Sequence, residues 1–391
     1  VSDEDDSAVA IADADADELV GMLTLSGKVV DAEGRPVAGA RVLAVRTFSA
    51  HESWNQTRLL EAEPRAKADG SFEVKVVHTA ERFTDGIRPE TQHVSILAAA
   101  EGFGCDEQMA DPTLPTQELK LQLAVATASL KGRVLNLEGQ PVAGVRVAVE
   151  EVAVPGDSVD DWIEGARDNP STRGDMLAMG RSEQPIARFP IGKRIRLQGL
   201  PLREPVKTDE EGKFKIAGLS SDQLVTLRLD GAGIASTWLH AVTREMEPVP
   251  VPSHDPRYRT ALTFGNSFDY TADPAQPIVG TLRDLDSGEP LAGVRVDLSQ
   301  YGESLLGIEG FLSATTDASG RYELHGIPKP PQNTRPVRLR LLPSEEMPYF
   351  RTTVTVPKQD GLDPITLDVE LKRAVWVTGQ VTDAQTGEPT R

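Results

Sequence analysis

The chain has 391 residues, a formal net charge of −19, a single cysteine and only 5% aromatic residues. That balance argues against a nucleic-acid partner, which requires a basic face against phosphate, and one thiol cannot make a disulfide framework. No run of 18 or more apolar residues reads as a membrane span, the charge itself serves solubility, and the length predicts several domains.

Residues 1–20 are rich in Asp and Ala and poor in large apolar side chains, the composition of an acidic flexible linker. Asp13, Asp15 and Asp17 copy the start of a calcium loop, but Glu18 stands where that loop needs glycine and Thr24 where it needs a bidentate glutamate. The start Val1-Ser-Asp-Glu is acidic where a signal peptide is basic. The expectation is a piece of a longer chain whose sorting and anchoring segments lie elsewhere.

From there one phrase recurs. It reads Leu25-Ser-Gly27-Lys-Val29-Val-Asp31-Ala-Glu-Gly34-Arg-Pro36-Val-Ala-Gly39, then Leu130-Lys-Gly132-Arg-Val134-Leu-Asn136-Leu-Glu-Gly139-Gln-Pro141-Val-Ala-Gly144. The third copy is Ile278-Val-Gly280-Thr-Leu282-Arg-Asp284-Leu-Asp-Ser-Gly288-Glu-Pro290-Leu-Ala-Gly293, and Val377-Thr-Gly379-Gln-Val381-Thr-Asp383 opens a fourth. A period of this kind marks the start of one folding unit per copy. Apolar residues alternate with polar ones on both sides of a turn, the pattern of a half-buried hairpin. Asp31, Asn136 and Asp284 are placed to bond the backbone two residues on, and Gly34, Gly139 and Gly288 to take positive φ.

A second turn and strand follow each complete copy, around Asp69-Gly70-Ser-Phe72, Thr208-Asp209-Glu-Glu-Gly212-Lys-Phe214 and Thr316-Asp317-Ala-Ser-Gly320-Arg-Tyr322. Phe72, Phe214 and Tyr322 are the large inward residues. Later alternating runs such as 94–99 with 119–125, and 337–341 with 365–371, complete each unit. About seven short strands in roughly 100 residues predict an antiparallel sandwich.

Both phrases together resemble the carboxypeptidase regulatory-like domain, a prealbumin-like sandwich. The wording of the third copy is similar to multi-repeat proteins of planctomycete-type bacteria. The resemblance implies an all-β chain of three tandem prealbumin-like or Ig-like antiparallel sandwiches and the start of a fourth. It implies no activity, because such modules accompany peptidases, receptors and adhesins alike. The expected divisions are 1–20 linker, 21–126, 128–272 and 275–373 as sandwiches, and 375–391 as a truncated repeat. Short linkers predict a semi-rigid row.

The second unit carries an insert at about 153–205. Val159, Trp162, Ile163 and Ala166 fall at helical spacing, Ser158 and Asp161 fit a capping box, and Asn169-Pro170 ends the helix. Insertions on a rigid scaffold concentrate function, so Trp162 with Asp160, Asp161 and Arg167 is the first ligand candidate, set against simple coverage of a sandwich edge. Trp54, in a loop, is the second; an exposed ring among polar groups suits a sugar. Trp238 and Trp376 read as core.

Catalytic and metal chemistry finds no support. His51, His78, His93, His240, His254 and His325 are scattered, and no zinc motif is present. His240 reads as an ordinary strand histidine. Cys105 has no histidine near it in sequence, and G-x-S-x-G is absent. A Lys-Asn/Asp isopeptide bond fails because Lys28 and Lys131 are answered by Thr281 in the third copy. The reading is a non-catalytic set of spacer and interaction modules without cofactor or metal. It belongs to a larger periplasmic, cell-surface or secreted bacterial protein and meets envelope proteins or glycans. The alternative is the regulatory or folding-support region of a larger enzyme, such as a peptidase, or of a signalling protein.

Overall fold

The computed structural model describes residues 18–48, 56–59, 64–81, 93–111, 114–155, 159–160, 191–197, 199–251, 261–300, 312–329, 336–344 and 346–375. These residues form six β-sheets, and the only helical ones among them are Val159 and Asp160. The all-β architecture expected from the repeats is the one observed.

The sheets stack in three pairs. In the first, Glu18–Asp31 lies between Ser71–Glu81 (antiparallel) and Thr116–Leu123 (parallel). This sheet faces a four-stranded one ordered Gln56–Leu59, Arg41–Phe48, His93–Ala99, Cys105–Ala110. Alternation sends Leu25, Val29, Phe72, Val74 and Leu121 from one sheet, and Val42, Ala44 and Ile96 from the other, into one core. The second pair sets Lys213–Leu219, Ala128–Leu135 and Ser267–Thr271 against a seven-stranded sheet built on Arg146–Pro155, Leu224–Gly231 and Ile234–Val242. In the third, Ile278–Asp284 is flanked by Arg321–Leu324 and, in parallel, by Ile365–Thr366 and Val369–Leu371. Its partner sheet runs Ser313–Thr315, Arg295–Gln300, Arg338–Leu342, Thr352–Thr355. In every pair the opening strand and the closing strand are therefore parallel neighbours.

The repeated phrase has three physical roles. Its turn Asp or Asn caps the hairpin: Asp31 Oδ1 accepts the N–H groups of Glu33 and Arg35 at 3.0 and 2.8 Å. Asn136 and Asp284 accept in the same way. Gly34, Gly139 and Gly288 have φ of 81°, 77° and 71°, the left-handed region where a Cβ is strained. The glycine inside the first strand serves close approach instead. A Cβ at Gly132 would lie 2.3 Å from the Phe214 ring, and one at Gly280 would lie 1.9 Å from the Leu367 carbonyl oxygen and 3.1 Å from the Tyr322 ring.

A role not foreseen belongs to the threonine before the second turn. Thr208 Oγ1 donates to the Val142 carbonyl at 2.7 Å and accepts the Val145 N–H at 2.9 Å, pinning the Pro-Val-Ala-Gly segment to the second hairpin. Thr316 does the same between Leu291 and Val294. Both side chains are buried, so each bond replaces water that could not reach these groups.

The sandwiches meet over extensive contacts. On Arg41–Phe48 and His93–Ala99, Leu43, Val45 and Leu97 point away from the first core and join the second. That sheet is buried on both faces, which explains why Val42-Leu-Ala-Val45 is uninterruptedly apolar. The 94–99 run, expected to alternate, is likewise covered on both sides. At the other junction Ser236 N–H donates to the Gly326 carbonyl at 2.8 Å and Gln276 N–H to that of Ile327 at 2.7 Å. The two sandwiches thus share backbone hydrogen bonds.

Candidate ligand-binding cleft

The hairpin end of the first sandwich and residues 197–218 of the second enclose a cleft of about 830 Å³. Phe103 and Leu202 give it apolar wall, and Arg41, Arg65, Arg203 and Asp31 line it with charge. A cleft between two abutting domains is a usual place for a small ligand.

These four charged groups are already engaged. The Asp31 carboxylate accepts two backbone N–H groups and the Arg35 guanidinium at 2.6 Å. Burial works to raise its pKa, but the Arg35 bonds and charge outweigh that and hold it below the usual carboxylate value. Arg203 donates to the carbonyls of Ala217 and Gly218, and burial depresses its pKa. Arg65 Nη1 donates to the Gly39 carbonyl at 3.2 Å, and Arg41 also has a partner. Cys105, beside Arg203, has its thiol pushed up to about 11 by burial, the opposite of an activated nucleophile.

The first-choice candidates divide. Trp162, Asp161, Arg167 and Trp54 lie outside the described residues. Asp160 is described: Arg244 grips it with Nη2–Oδ1 at 2.5 Å and Nη1–Oδ2 at 3.3 Å, and this hydrogen bonding lowers its pKa. Next to it Val159 is buried against Val242 and Val249. The start of the insert is thus anchored to the second sandwich.

His240 sits in the strand Ile234–Val242 with Nδ1 3.3 Å from Thr226 Oγ1, and burial pulls its pKa down to about 4. An ordinary strand histidine was expected there. Trp238 corrects the core expectation: Leu239 and Ala241 face the core, and Trp238 lies half-buried on the opposite face. No group of three or more His, Cys, Asp or Glu is placed to hold a metal ion among the described residues. No helix among them is long and apolar enough to cross a membrane.

Sequence reasoning missed the ionic seam where the first two sandwiches meet. Lys193 pairs with Asp106 across it, and Glu151 sits 3.3 Å from Arg194 and 3.9 Å from Arg196. Burial raises the pKa values of Glu107 and Glu151, and the arginines oppose that rise. The signal was faint: Glu150-Glu151 inside a strand, with 42 residues between Glu151 and Arg194.

No protein-family model matches the chain, and no curated protein matches it. Among solved structures, similarity is found to the Bacillus anthracis TIE protein at 11% identity and TM-score 0.21. The alignment covers 90% of this chain and 51% of that one, so the chain spans about half its length. A streptococcal ancillary pilin matches at 12% identity and TM-score 0.20, over 90% of this chain and 99% of that one. A 3-chlorocatechol 1,2-dioxygenase of Rhodococcus opacus matches at 16% identity and TM-score 0.20, over 28% of this chain and 62% of that one. Superpositions this loose carry no functional argument.

Proposed function

We propose that the chain is a set of non-catalytic β-sandwich modules, with boundaries near 21–126, 128–272 and 275–373. They hold partners at fixed spacing within a larger cell-envelope or secreted bacterial protein. The observation that carries this reading is the way the sandwiches are joined: a shared apolar face at one junction and backbone hydrogen bonds at the other. Such junctions fix relative orientation, which a spacer needs and a set of loosely tethered domains lacks. The engaged polar groups of the cleft and the raised Cys105 pKa favour it over an enzyme. Resemblance of the repeats to carboxypeptidase regulatory-like domains is the further support.

Spin labels at Lys120→Cys and Lys358→Cys, in a Cys105→Ala background, test the spacing. A single narrow distance distribution is expected; a broad one overturns the proposal. A finer reading places a sugar on Trp162 beside Asp161 and Arg167, with Asp160 already held by Arg244. Loss of glycan binding in Trp162→Ala at unchanged thermal midpoint supports it, and silent glycan arrays remove it.

A further inference from the structure

Each sandwich ends in the same way. The turn before its last hairpin strand pairs with the segment that leaves its closing strand. Phe103 bridges Val125, with Gly104 N–H donating to Ala124 and Ala126 N–H to Gly102. Ile234 bridges Pro274, with Ala235 N–H donating to Asp273 and Ala275 N–H to Gly233. Tyr349 bridges Arg373, with Ala374 N–H donating to Pro348 at 2.6 Å. Gly104, Ala235 and Phe350 therefore occupy one position, and so do Gln276 and Val375, each two residues beyond the bridging Pro274 or Arg373.

At the earlier junctions this surface is covered by the next sandwich. A Cβ at Gly104 would stand 3.0 Å from Ser220 Oγ. Ala235 is 5% and Gln276 2% exposed, and the following Ser236 donates its N–H to Gly326. At the third the same positions are bare: Phe350 is 72% and Val375 84% exposed. Gly218 and Gly326, on the covering turns, each stand four residues after the inward aromatic, Phe214 or Tyr322.

We infer that the end of the third sandwich around Phe350, Arg351 and Val375 is a docking surface for a further module of this repeat type. The incoming module presents its glycine turn to the Arg351 N–H as Gly326 is presented to Ser236. A second copy of this chain is the wrong occupant. The turns at Gly218 and Gly326 are used within the chain, and their counterpart in the first sandwich, Val76, is paired with Leu23 inside a long ladder.

The inference rests on the modular reading proposed above. It is tested in the full chain with residues 276–391 repeated directly after Ala374, so that the Ala275-Gln276 junction is reproduced. Amide exchange over 348–356 is compared with the 391-residue chain, using both Phe350 and Phe350→Ala so that a tight fit cannot hide docking. The expected result is slowing of the Arg351 amide by at least about tenfold, as for any amide moved from solvent into a backbone pair. A repeated sandwich that adds its full strand signal in circular dichroism while exchange stays unchanged in both versions overturns the docking surface and leaves the modules standing. A repeat that adds no strand overturns the modular reading and this inference with it.

Discussion

Gly132 and Phe214 face each other across the antiparallel pair formed by Ala128–Leu135 and Lys213–Leu219, and the ring lies over the bare Cα. A Cβ at Gly132 would meet the ring at 2.3 Å, and Phe268, paired with Gly132 from the opposite neighbouring strand, packs edge to face against the same ring at 6.0 Å. Gly132→Ala is expected to cost about 1–3 kcal/mol by overpacking, measured by denaturant unfolding. Adding Phe214→Leu recovers part of it if the clash is the cause; a loss unchanged in the double variant contradicts the account.

Asp284, like Asp317, is a carboxylate of the third sandwich whose pKa is lowered by its hydrogen bonds. Its carboxylate accepts from the Tyr349 hydroxyl and the N–H groups of Asp286 and Ser287, and Arg373 lies 3.2 Å away. The Tyr349 bond first, then the Ser287 N–H, hold its pKa well below the usual carboxylate range. A depressed folded pKa contributes stability that is complete above the unfolded value of about 3.9 and is lost as pH falls toward the folded one. Asp284→Asn should therefore melt lower than the parent at pH 5–8, on the order of several degrees. The gap should close below about pH 4. A gap independent of pH would assign the loss to packing.

The first two sandwiches should unfold as one unit. Leu43 and Leu97 are strand residues of the first sandwich whose side chains belong to the second core. Leu97→Ala should cost about 2–5 kcal/mol and lower the transition of both sandwiches together. In calorimetry, a shift confined to one of two separated transitions would show that the shared face does not couple them.

Much of this was legible. Strand alternation, turn residues and the period of the phrase are local quantities, and Asp31, Asn136 and Asp284 cap their hairpins as their spacing demands. What was not legible is set by contact between units. Leu43 reads like Val42 in sequence, yet one faces a neighbouring sandwich and the other its own core. Trp238 was placed in the core because it lies in an alternating strand, but strand parity gives that face to Leu239 and Ala241. The Thr208 hydroxyl bridges two residues more than 60 positions earlier in the chain, a distance no local pattern spans. The ligand candidates of the insert rested on one tryptophan and its charges, and Asp160 has spent its charge on Arg244.

Cys105 should be slow to react. With its thiol near 11 against an ordinary 9.0, thiolate at pH 8 is reduced roughly a hundredfold. Iodoacetamide labelling of the native chain is expected to lag far behind labelling in denaturant. Equal rates would place the thiol in open solvent.

The parallel pairing of first and last strands also decides how the chain carries load. Tension applied at the two ends of a sandwich draws Glu18–Asp31 and Thr116–Leu123, or Ala128–Leu135 and Ser267–Thr271, past one another along their length. Their hydrogen bonds are then strained side by side in shear, all at once, where an antiparallel terminal pair would unzip one bond at a time. Sandwiches connected in this way resist extension up to a high rupture force, and give way abruptly when the ladder slips.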